Sequence, residues 1–419
     1  MDDRLEPASE SCHPAAGRPL SYLFVCDEWF ATKGGISAVN RHLALAAAKQ
    51  GHISMCLVTV ATDAERRDAE RNGVRLFQAE RTPAGPDLHL PVAGVLECVP
   101  DVVVGHDRVS GHIAWLYARK YGTSKLVHIV HTAPAEIEPY KNHPDAAMRI
   151  EAREAFTRDL AGDADVIAAI GPRLTRYVTS LLEDGYGGTP VLRIDPQLDL
   201  DDNALERRRQ VPVRQNVMVL GRTGDVTLKG LDIASRAVAA LRPRSGQLPP
   251  ILYVRGAPAA TCENVRRTLV ETSGMARGAV DVRPFVNDPS AVRLDLKRAT
   301  LCVMPSRAEG FGLVAWEAIA VGTPVLVSSQ SGAADLLREH IGAAAENIIV
   351  EVADNLTRDV QTWAEAIQLR FDDLSAAFAH AHEIRAALAG RFTWADVVER
   401  LYVRLWGSRS PEWSFEGVG

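Results

Sequence analysis

The sequence lacks the long hydrophobic run that a membrane-spanning helix requires. No stretch of the chain approaches about 18 consecutive apolar residues. Residues 1–18 are polar and acidic and contain no apolar segment, so they match neither a secretion signal nor a membrane anchor. We therefore expect a soluble, cytoplasmic protein without an integral membrane segment, and we expect residues 1–18 to form a disordered tail.

Cysteine is scarce, and its spacing matches no common metal or redox motif. The six cysteines include no C-x-x-C pair. The sequence also has no H-E-x-x-H, no G-x-S-x-G elbow and no P-loop. We therefore expect reduced thiols and predict no metal, no cofactor and no acyl-enzyme intermediate.

Positive charge does not exceed negative charge. Lys and Arg total 47 against 53 Asp and Glu, which gives a net charge of -6 at pH 7. This balance disfavours nucleic acid and anionic membrane surfaces as main partners, and it favours small molecules.

Short apolar runs alternate with helical stretches through most of the chain. The runs are residues 22–26, 53–60, 101–104, 126–130, 165–170, 216–220, 251–254, 282–285, 301–304, 324–327 and 347–350. This alternation predicts an α/β fold of two doubly wound domains, each with a parallel sheet covered by helices. The pattern weakens near residues 199–214, so we predict a first domain over residues 19–205 and a second over residues 206–393. An amphipathic segment from Trp394 to Trp406 predicts a final helix within residues 394–419.

Two acids, Glu309 and Glu317, stand eight residues apart around a Gly-containing turn that opens a helix. The run over residues 312–321 is apolar except for Glu317, which predicts a helix that is buried on every side. An unpaired carboxylate there would cost several kcal/mol, so Glu317 needs polar partners. A ligand can supply them, and a core acid paired with an Arg is the alternative.

The start of this predicted helix is suited to an anion. Backbone N–H groups near Phe311, Gly312 and Leu313 lack helical partners and can bind a diphosphate. Gly310 and Gly312 allow the backbone to approach a ligand closely. The segment also matches G-x-G-x-x-A through Ala315, an alternative that indicates dinucleotide binding. Against it, the glycines trail the strand by several residues, and the next strand ends in Ser-Ser-Gln rather than in a ribose-binding acid.

Further polar or flexible residues follow predicted strands, where open α/β sheets bind ligands. Arg222 and Lys229 follow the strand at 216–220 and could neutralise a departing diphosphate, or they could be solvated loop charges. Gly34 and Gly35 precede a helix and again permit close backbone approach, although a simple loop into a helix explains them nearly as well.

Two histidines follow buried strands of the first half. His106 and His131 could each donate to a sugar hydroxyl or transfer a proton near neutral pH. A structural role is the more common one for any single histidine. Because both stand at strand ends of one predicted sheet, we expect at least one of them to be functional.

Taken together, these segments resemble the family-four nucleotide-sugar glycosyltransferases of GT-B fold, which retain the anomeric configuration. The resemblance covers nearly the whole chain after residue 18. Its motifs are Gly34-Gly35, His131, the pair Arg222 and Lys229, Pro284-Phe285-Val286, and the segment Glu309-Gly310-Phe311-Gly312-Leu313 with Glu317. It implies two Rossmann-like domains that face a central cleft, and a C-terminal helix that crosses back to the first domain.

The resemblance also implies roles for individual residues. Glu309 would contact the donor sugar, Glu317 would hold the nucleotide ribose, and Arg222 and Lys229 would bind the diphosphate. The predicted catalytic set is His131, Glu309, Arg222 and Lys229. Phe285 is expected at the donor site, and His106 is a possible acceptor or sugar contact.

The implied activity is a metal-independent, retaining transfer of a hexosyl group from a nucleoside diphosphate sugar, UDP favoured over GDP, to an unidentified acceptor. One departure affects the donor sugar's surroundings: the family shows two glycines and a later Glu where this chain has Ser331-Gly332-Ala333-Ala334-Asp335. The alternatives are a sugar-nucleotide epimerase or a phosphorylase on the same fold, the latter requiring pyridoxal phosphate. A third is an inactive module that binds or senses nucleotide sugars.

Overall fold

A computed structural model describes residues 18–31, 34–96, 99–141, 143–183, 190–200, 214–243, 248–286 and 288–407. In the first domain the strands are β1 (Ser21–Val25), β2 (Ile53–Val58), β3 (Val74–Gln78), β4 (Glu80–Thr82), β5 (Gly85–Asp87), β6 (Val102–His106), β7 (Lys125–Val130), β8 (Val166–Ile170) and β9 (Leu192–Ile194). Seven of them form a parallel sheet in the order β3-β2-β1-β6-β7-β8-β9, and β4 pairs with β5 as an antiparallel hairpin.

Helices follow most strands of this sheet. They are α1 (Gly35–Lys49), α2 (Asp63–Arg71), α3 (Ala93–Leu96), α4 (Asp107–Tyr121), α5 (Pro134–Ile137), α6 (Ala146–Asp163) and α7 (Gly171–Leu182). The central strand β1 is buried along its whole length, and its side chains alternate between two cores: Tyr22 and Phe24 enter one, Leu23 and Val25 the other. This is the arrangement expected of a parallel sheet whose two faces are both covered.

The second domain repeats the design. Its parallel sheet has the order β12-β11-β10-β13-β14-β15. The strands are β10 (Asn216–Leu220), β11 (Ile251–Ala257), β12 (Val280–Pro284), β13 (Leu301–Met304), β14 (Val325–Ser328) and β15 (Ile349–Val350). The helices are α8 (Leu231–Ala240), α9 (Cys262–Ser273), α10 (Pro289–Arg298), α11 (Leu313–Ala320), α12 (Gly332–Ile341), α13 (Ala343–Glu346), α14 (Leu356–Asp372), α15 (Leu374–Leu388) and α16 (Trp394–Trp406).

The last helix, α16, lies against the first domain. Thr393 caps its start by accepting a hydrogen bond from the Asp396 N–H, and Trp394, Val397, Val398 and Leu401 are buried along one face. The amide of Gln50, at the end of α1, donates to the Ala395 carbonyl at 2.9 Å. The apolar face of α16 therefore packs into a core that the first domain completes.

The predicted GT-B fold and its crossing helix are confirmed. The short strands β3 and β9 and the hairpin β4–β5 were not predicted. Residues 1–17 of the predicted tail lie outside the described residues, and so does the predicted boundary at 205 and 206. The prediction is corrected at Arg18, whose guanidinium pairs with Asp101 at 2.5 Å. Arg18 is therefore not part of a disordered tail. No described helix is both long and apolar enough to cross a membrane.

Candidate functional site

Two neighbouring cavities lie between the domains at the carboxyl ends of the central strands. The first, which we call the glycine cavity, has a volume of about 350 Å³. Most of the predicted site residues line it: Gly34, Gly35, His131, Arg222, Lys229, Glu309, Phe311, Gly312 and Leu313. In both sheets the strand order reverses beside β1 and β10, so the cavity lies where this class of fold binds its ligands.

Glycines lie where the two domains approach each other in this cavity. A Cβ on Gly35 would lie only 2.6 Å from Leu313 Cδ1 of the opposite domain. Gly312 precedes α11 with φ +99, a conformation that favours glycine. The start of α11 thus faces the start of α1, and its unpaired N–H groups are directed at a common space.

Two cations and one acid of the second domain meet in the glycine cavity. Lys229 Nζ lies 2.5 Å from Glu309 Oε2, and Ser306 Oγ lies 3.4 Å from the same oxygen. Arg222 is exposed and forms no hydrogen bond or ion pair with any residue that the structure describes. Its guanidinium is therefore available to an anionic ligand.

On the first domain's side of the cavity, His131 follows β7. Its backbone N–H donates to Asp107 Oδ2 at 3.1 Å, and Thr132 Oγ1 donates to the same oxygen at 3.1 Å. Asp107 has φ 39, a strained value for a residue other than glycine. Burial raises the pKa of Asp107 to about 7, although these two hydrogen bonds act in the opposite direction.

His106 lies behind His131 and lines neither cavity. It is 0% exposed, so the predicted direct contact with a sugar or acceptor is corrected: a ligand cannot reach it. Its Nδ1 lies 2.8 Å from His131 Nε2, and its Nε2 lies 2.9 Å from Asn40 Oδ1. Burial lowers the pKa of His131 to about 3 and holds the pKa of His106 well below its ordinary value, so both rings are neutral at pH 7.

The second cavity, which we call the tryptophan cavity, is lined by Trp316 and Trp394 and has a volume of about 170 Å³. It shares Val39 and Leu313 with the glycine cavity, so the two adjoin. Val292, Leu296 and Ala320 supply apolar wall, and Glu317 is its acid from α11.

The prediction that α11 is buried on every side is wrong at Glu317. This residue is exposed to the tryptophan cavity, and its carboxylate has no hydrogen bond or ion pair within the described part of the chain. The surrounding walls nevertheless desolvate the carboxyl and raise its pKa to about 7, with Arg293 acting to lower it and Asp199 to raise it. The alternative of a core acid paired with an Arg is therefore not supported.

Phe285 and Gly310 are predicted donor-site residues that line neither cavity. Phe285 is 44% exposed, and its neighbour Val286 lines the tryptophan cavity. Sequence reasoning missed Asn40, Asp107 and Arg293, which no motif marks. Among the described residues no three His, Cys, Asp or Glu side chains are grouped so that they could hold a metal ion.

Comparison with known proteins agrees with this arrangement. The family described as "Family 4 Glycosyltransferase in conflict systems" matches residues 23–401. The chain belongs to the family 4 glycosyltransferases. This glycosyltransferase is 31% identical over 317 residues to the D-inositol 3-phosphate glycosyltransferase of Geodermatophilus obscurus, covering 72% of this chain and 65% of that protein. The corresponding protein of Corynebacterium urealyticum is 27% identical over 319 residues, covering 72% and 70%.

The chain thus spans about two thirds of the length of these relatives. Solved structures share its fold. A sucrose-phosphate synthase from Thermosynechococcus elongatus has a TM-score of 0.65 at 19% identity, covering 92% of this chain and 98% of that one. Anabaena Alr3699/HepE in complex with UDP-glucose has a TM-score of 0.65 at 16% identity, covering 91% and 98%.

Proposed function

We propose that this protein transfers a sugar, with retention of configuration and without a metal ion, from a nucleoside diphosphate sugar to an acceptor bound by the first domain. UDP is favoured over GDP as the nucleotide. The observation that carries the proposal is the pair of adjoining cavities: one holds the carboxylate of Glu317 and the other the guanidinium of Arg222, and neither group has a partner among the described residues. A ligand with a polar nucleoside, a diphosphate and a sugar matches this order of groups.

In this proposal the nucleoside occupies the tryptophan cavity. The carboxylate of Glu317 accepts hydrogen bonds from the ribose hydroxyls, and the apolar wall around Val292 and Leu296 contacts the base. The diphosphate lies near Leu313, where the cavities adjoin and α11 begins. There the helix N-terminus, Arg222 and Lys229 together neutralise its charge.

The transferred sugar occupies the glycine cavity. Glu309 and His131 line this cavity from opposite domains and are the proposed sugar contacts. The resting ion pair between Lys229 and Glu309 opens when the donor binds, so that Lys229 turns to the diphosphate and Glu309 to a sugar hydroxyl. Each group thereby exchanges a protein partner for a ligand partner.

The chemistry follows from charge. As the bond between the anomeric carbon and the diphosphate oxygen breaks, positive charge grows on the sugar and negative charge on the leaving group. The cations of Arg222 and Lys229 stabilise the latter. An acceptor hydroxyl attacks from the leaving-group face, forms the new glycosidic bond and gives its proton to the departing diphosphate oxygen. Closure of the domains around the donor limits attack by water.

Titration calorimetry with UDP-, GDP- and ADP-glucose tests the donor assignment. We expect UDP-glucose to bind and Glu317→Ala to weaken it at least tenfold, the order of effect of one lost charge-assisted hydrogen bond. The exposed acid Glu365 on α14 lines neither cavity, and Glu365→Ala is the matched control. Unchanged binding in Glu317→Ala would contradict the ribose assignment. UDP release measured across an acceptor panel then tests transfer, and binding without release would favour a sensing module.

A further inference from the structure

A chain of two hydrogen bonds runs from the interior of the first domain to the wall of the glycine cavity. Asn40 on α1 and His106 at the end of β6 are both 0% exposed. Asn40 Oδ1 lies 2.9 Å from His106 Nε2, and His106 Nδ1 lies 2.8 Å from His131 Nε2. Of these three residues, only His131 lines the glycine cavity. Because the inner two residues are sealed from solvent, water cannot replace either of them as a partner.

These two hydrogen bonds have a direction, and Asn40 sets it. The Asn40 Nδ2 amide donates to Cys56 Sγ at 3.3 Å, which turns the amide oxygen toward His106. That oxygen can only accept, so the proton of the neutral His106 ring is on Nε2. His106 Nδ1 then carries a lone pair and accepts a hydrogen bond, which places the proton of the neutral His131 ring on Nε2 as well.

The remaining ring nitrogen of His131, Nδ1, is left with a lone pair. It has no hydrogen-bond partner among the residues that the structure describes, and His131 is half-buried at the cavity wall. The His131 backbone is also fixed, since its N–H donates to Asp107 Oδ2 at 3.1 Å. Consecutive residues, His106 and Asp107, therefore hold the ring and the backbone of His131 together.

We propose that Asn40 and His106 are positioning residues that hold His131 in its Nε2–H tautomer, so that His131 Nδ1 accepts a hydrogen bond from a hydroxyl of the transferred sugar. The assignment of that hydroxyl rests on the proposed function. The tautomer itself does not. It follows that His131 is a hydrogen-bond acceptor toward the ligand. It also follows that the hydrogen bonds from Asn40 through His106 to His131 increase the affinity for a nucleotide sugar but not the affinity for the free nucleotide.

The tautomer is measured without any ligand. Long-range ¹H–¹⁵N correlation spectra of histidine-labelled protein distinguish protonated from unprotonated ring nitrogens, and His131→Gln identifies the His131 signals. We expect Nε2 protonated and Nδ1 unprotonated in the wild type, with Asn40→Leu giving a mixture of tautomers. Ser54→Ala is the control, because Ser54 is equally buried and donates to the Ala44 carbonyl of the same helix. A proton on His131 Nδ1 in the wild type would overturn the proposal.

The consequence for binding is measured with UDP and UDP-glucose by titration calorimetry. We expect Asn40→Leu and His106→Phe to weaken UDP-glucose about tenfold, the value of one neutral hydrogen bond, while UDP affinity stays unchanged. His106→Asn, which offers a carbonyl oxygen near the position of Nδ1, restores part of the loss. Equal weakening of both ligands, or of neither, would overturn the sugar contact. If the wild type binds neither ligand, the proposed donor is wrong, and the spectra still decide the tautomer.

Discussion

The ammonium of Lys229 and the carboxylate of Glu309 bind each other at 2.5 Å in the glycine cavity. Lys229 lies in the loop after β10 and Glu309 in the loop after β13, so the pair joins the two strands that flank the switch in strand order. Both side chains remain partly exposed. An ion pair of this kind contributes at most about 1 kcal/mol to stability, so we attribute its placement to ligand binding.

Replacing Lys229 should therefore affect catalysis much more than folding. We expect Lys229→Met to lower kcat/KM for UDP release from UDP-glucose by about 100-fold or more, because the variant lacks the cation that stabilises negative charge on the leaving group. The melting temperature should change by no more than a few degrees. Lys229→Arg, which keeps the charge but not the compact shape, should retain intermediate activity. A variant that unfolds early but turns over normally would contradict this assignment.

The raised pKa of Glu317, about 7, predicts that donor binding depends on pH. The ribose hydroxyls need the ionised carboxylate as acceptor, so below pH 7 binding must first remove a proton. We expect UDP-glucose affinity to fall by up to about tenfold per pH unit below 7 and to level off above it. Calorimetry between pH 5.5 and 8.5 measures this, and UDP-glucose has no terminal phosphate that titrates in that range. Glu317→Gln should bind more weakly and show a flat profile.

The same raised pKa of Glu317 makes the stability of the folded protein fall as pH rises, which is the opposite direction to donor binding. The folded protein keeps the Glu317 proton up to about pH 7, whereas the unfolded chain releases it near the ordinary value of 4.5. Stability from this group is therefore present at low pH and is lost as pH rises from 4.5 to 7. We expect Glu317→Gln to be more stable than the wild type at pH 8 and to lose that advantage at pH 4.5. Urea unfolding at the two pH values checks the difference, and an equal offset at both would contradict it.

The local parts of the site were predictable, since Glu309, Gly312 and Glu317 stand in one short segment whose strand–turn–helix pattern fixes their spacing. Arg222 and Lys229 were predictable as cations at a strand end, but their different partners were not. Arg222 has no partner within the described ranges, whereas Lys229 is bound to Glu309. That difference depends on where loops from two strands meet, and no local pattern encodes it.

The larger errors of the sequence-based predictions concern features that depend on tertiary contacts. His106 follows a buried strand just as His131 does, yet α1 brings Asn40 over it and seals it from the cavity. The strand β9 has only three residues, too few for a recognisable alternation. The exposure of Glu317 to a cavity depends on residues from α1 and α10, which are distant in sequence.

Asp107 should be a structural anchor of the His131–Thr132 segment that follows β7. Asp107→Ala removes the acceptor of two hydrogen bonds, and we expect it to lower the free energy of unfolding by about 1–3 kcal/mol. Asp107→Asn keeps one carbonyl oxygen in place without a buried charge. Because burial raises the pKa of Asp107 from its ordinary value of 3.8 to about 7, the unfolded chain releases the proton first as pH rises, and the wild type alone loses stability between those two pH values. The Asn variant should therefore gain on the wild type as pH rises from 4.5 to 7 and gain little more above 7, which denaturant melts at pH 4.5, 7 and 8.5 measure.

His128 offers a test that is separate from the proposed chemistry. It lies within β7 at 1% exposure, and neither ring nitrogen has a hydrogen-bond partner among the described residues. Burial lowers its pKa from 6.5 to about 4, so the unfolded chain binds the proton first as pH falls. This group therefore costs stability progressively below pH 6.5, by about 2 kcal/mol at pH 5. We expect His128→Leu to remove that loss, so that its advantage over the wild type is larger at pH 5 than at pH 8. An advantage that does not change with pH would mean that the ring has a polar partner after all.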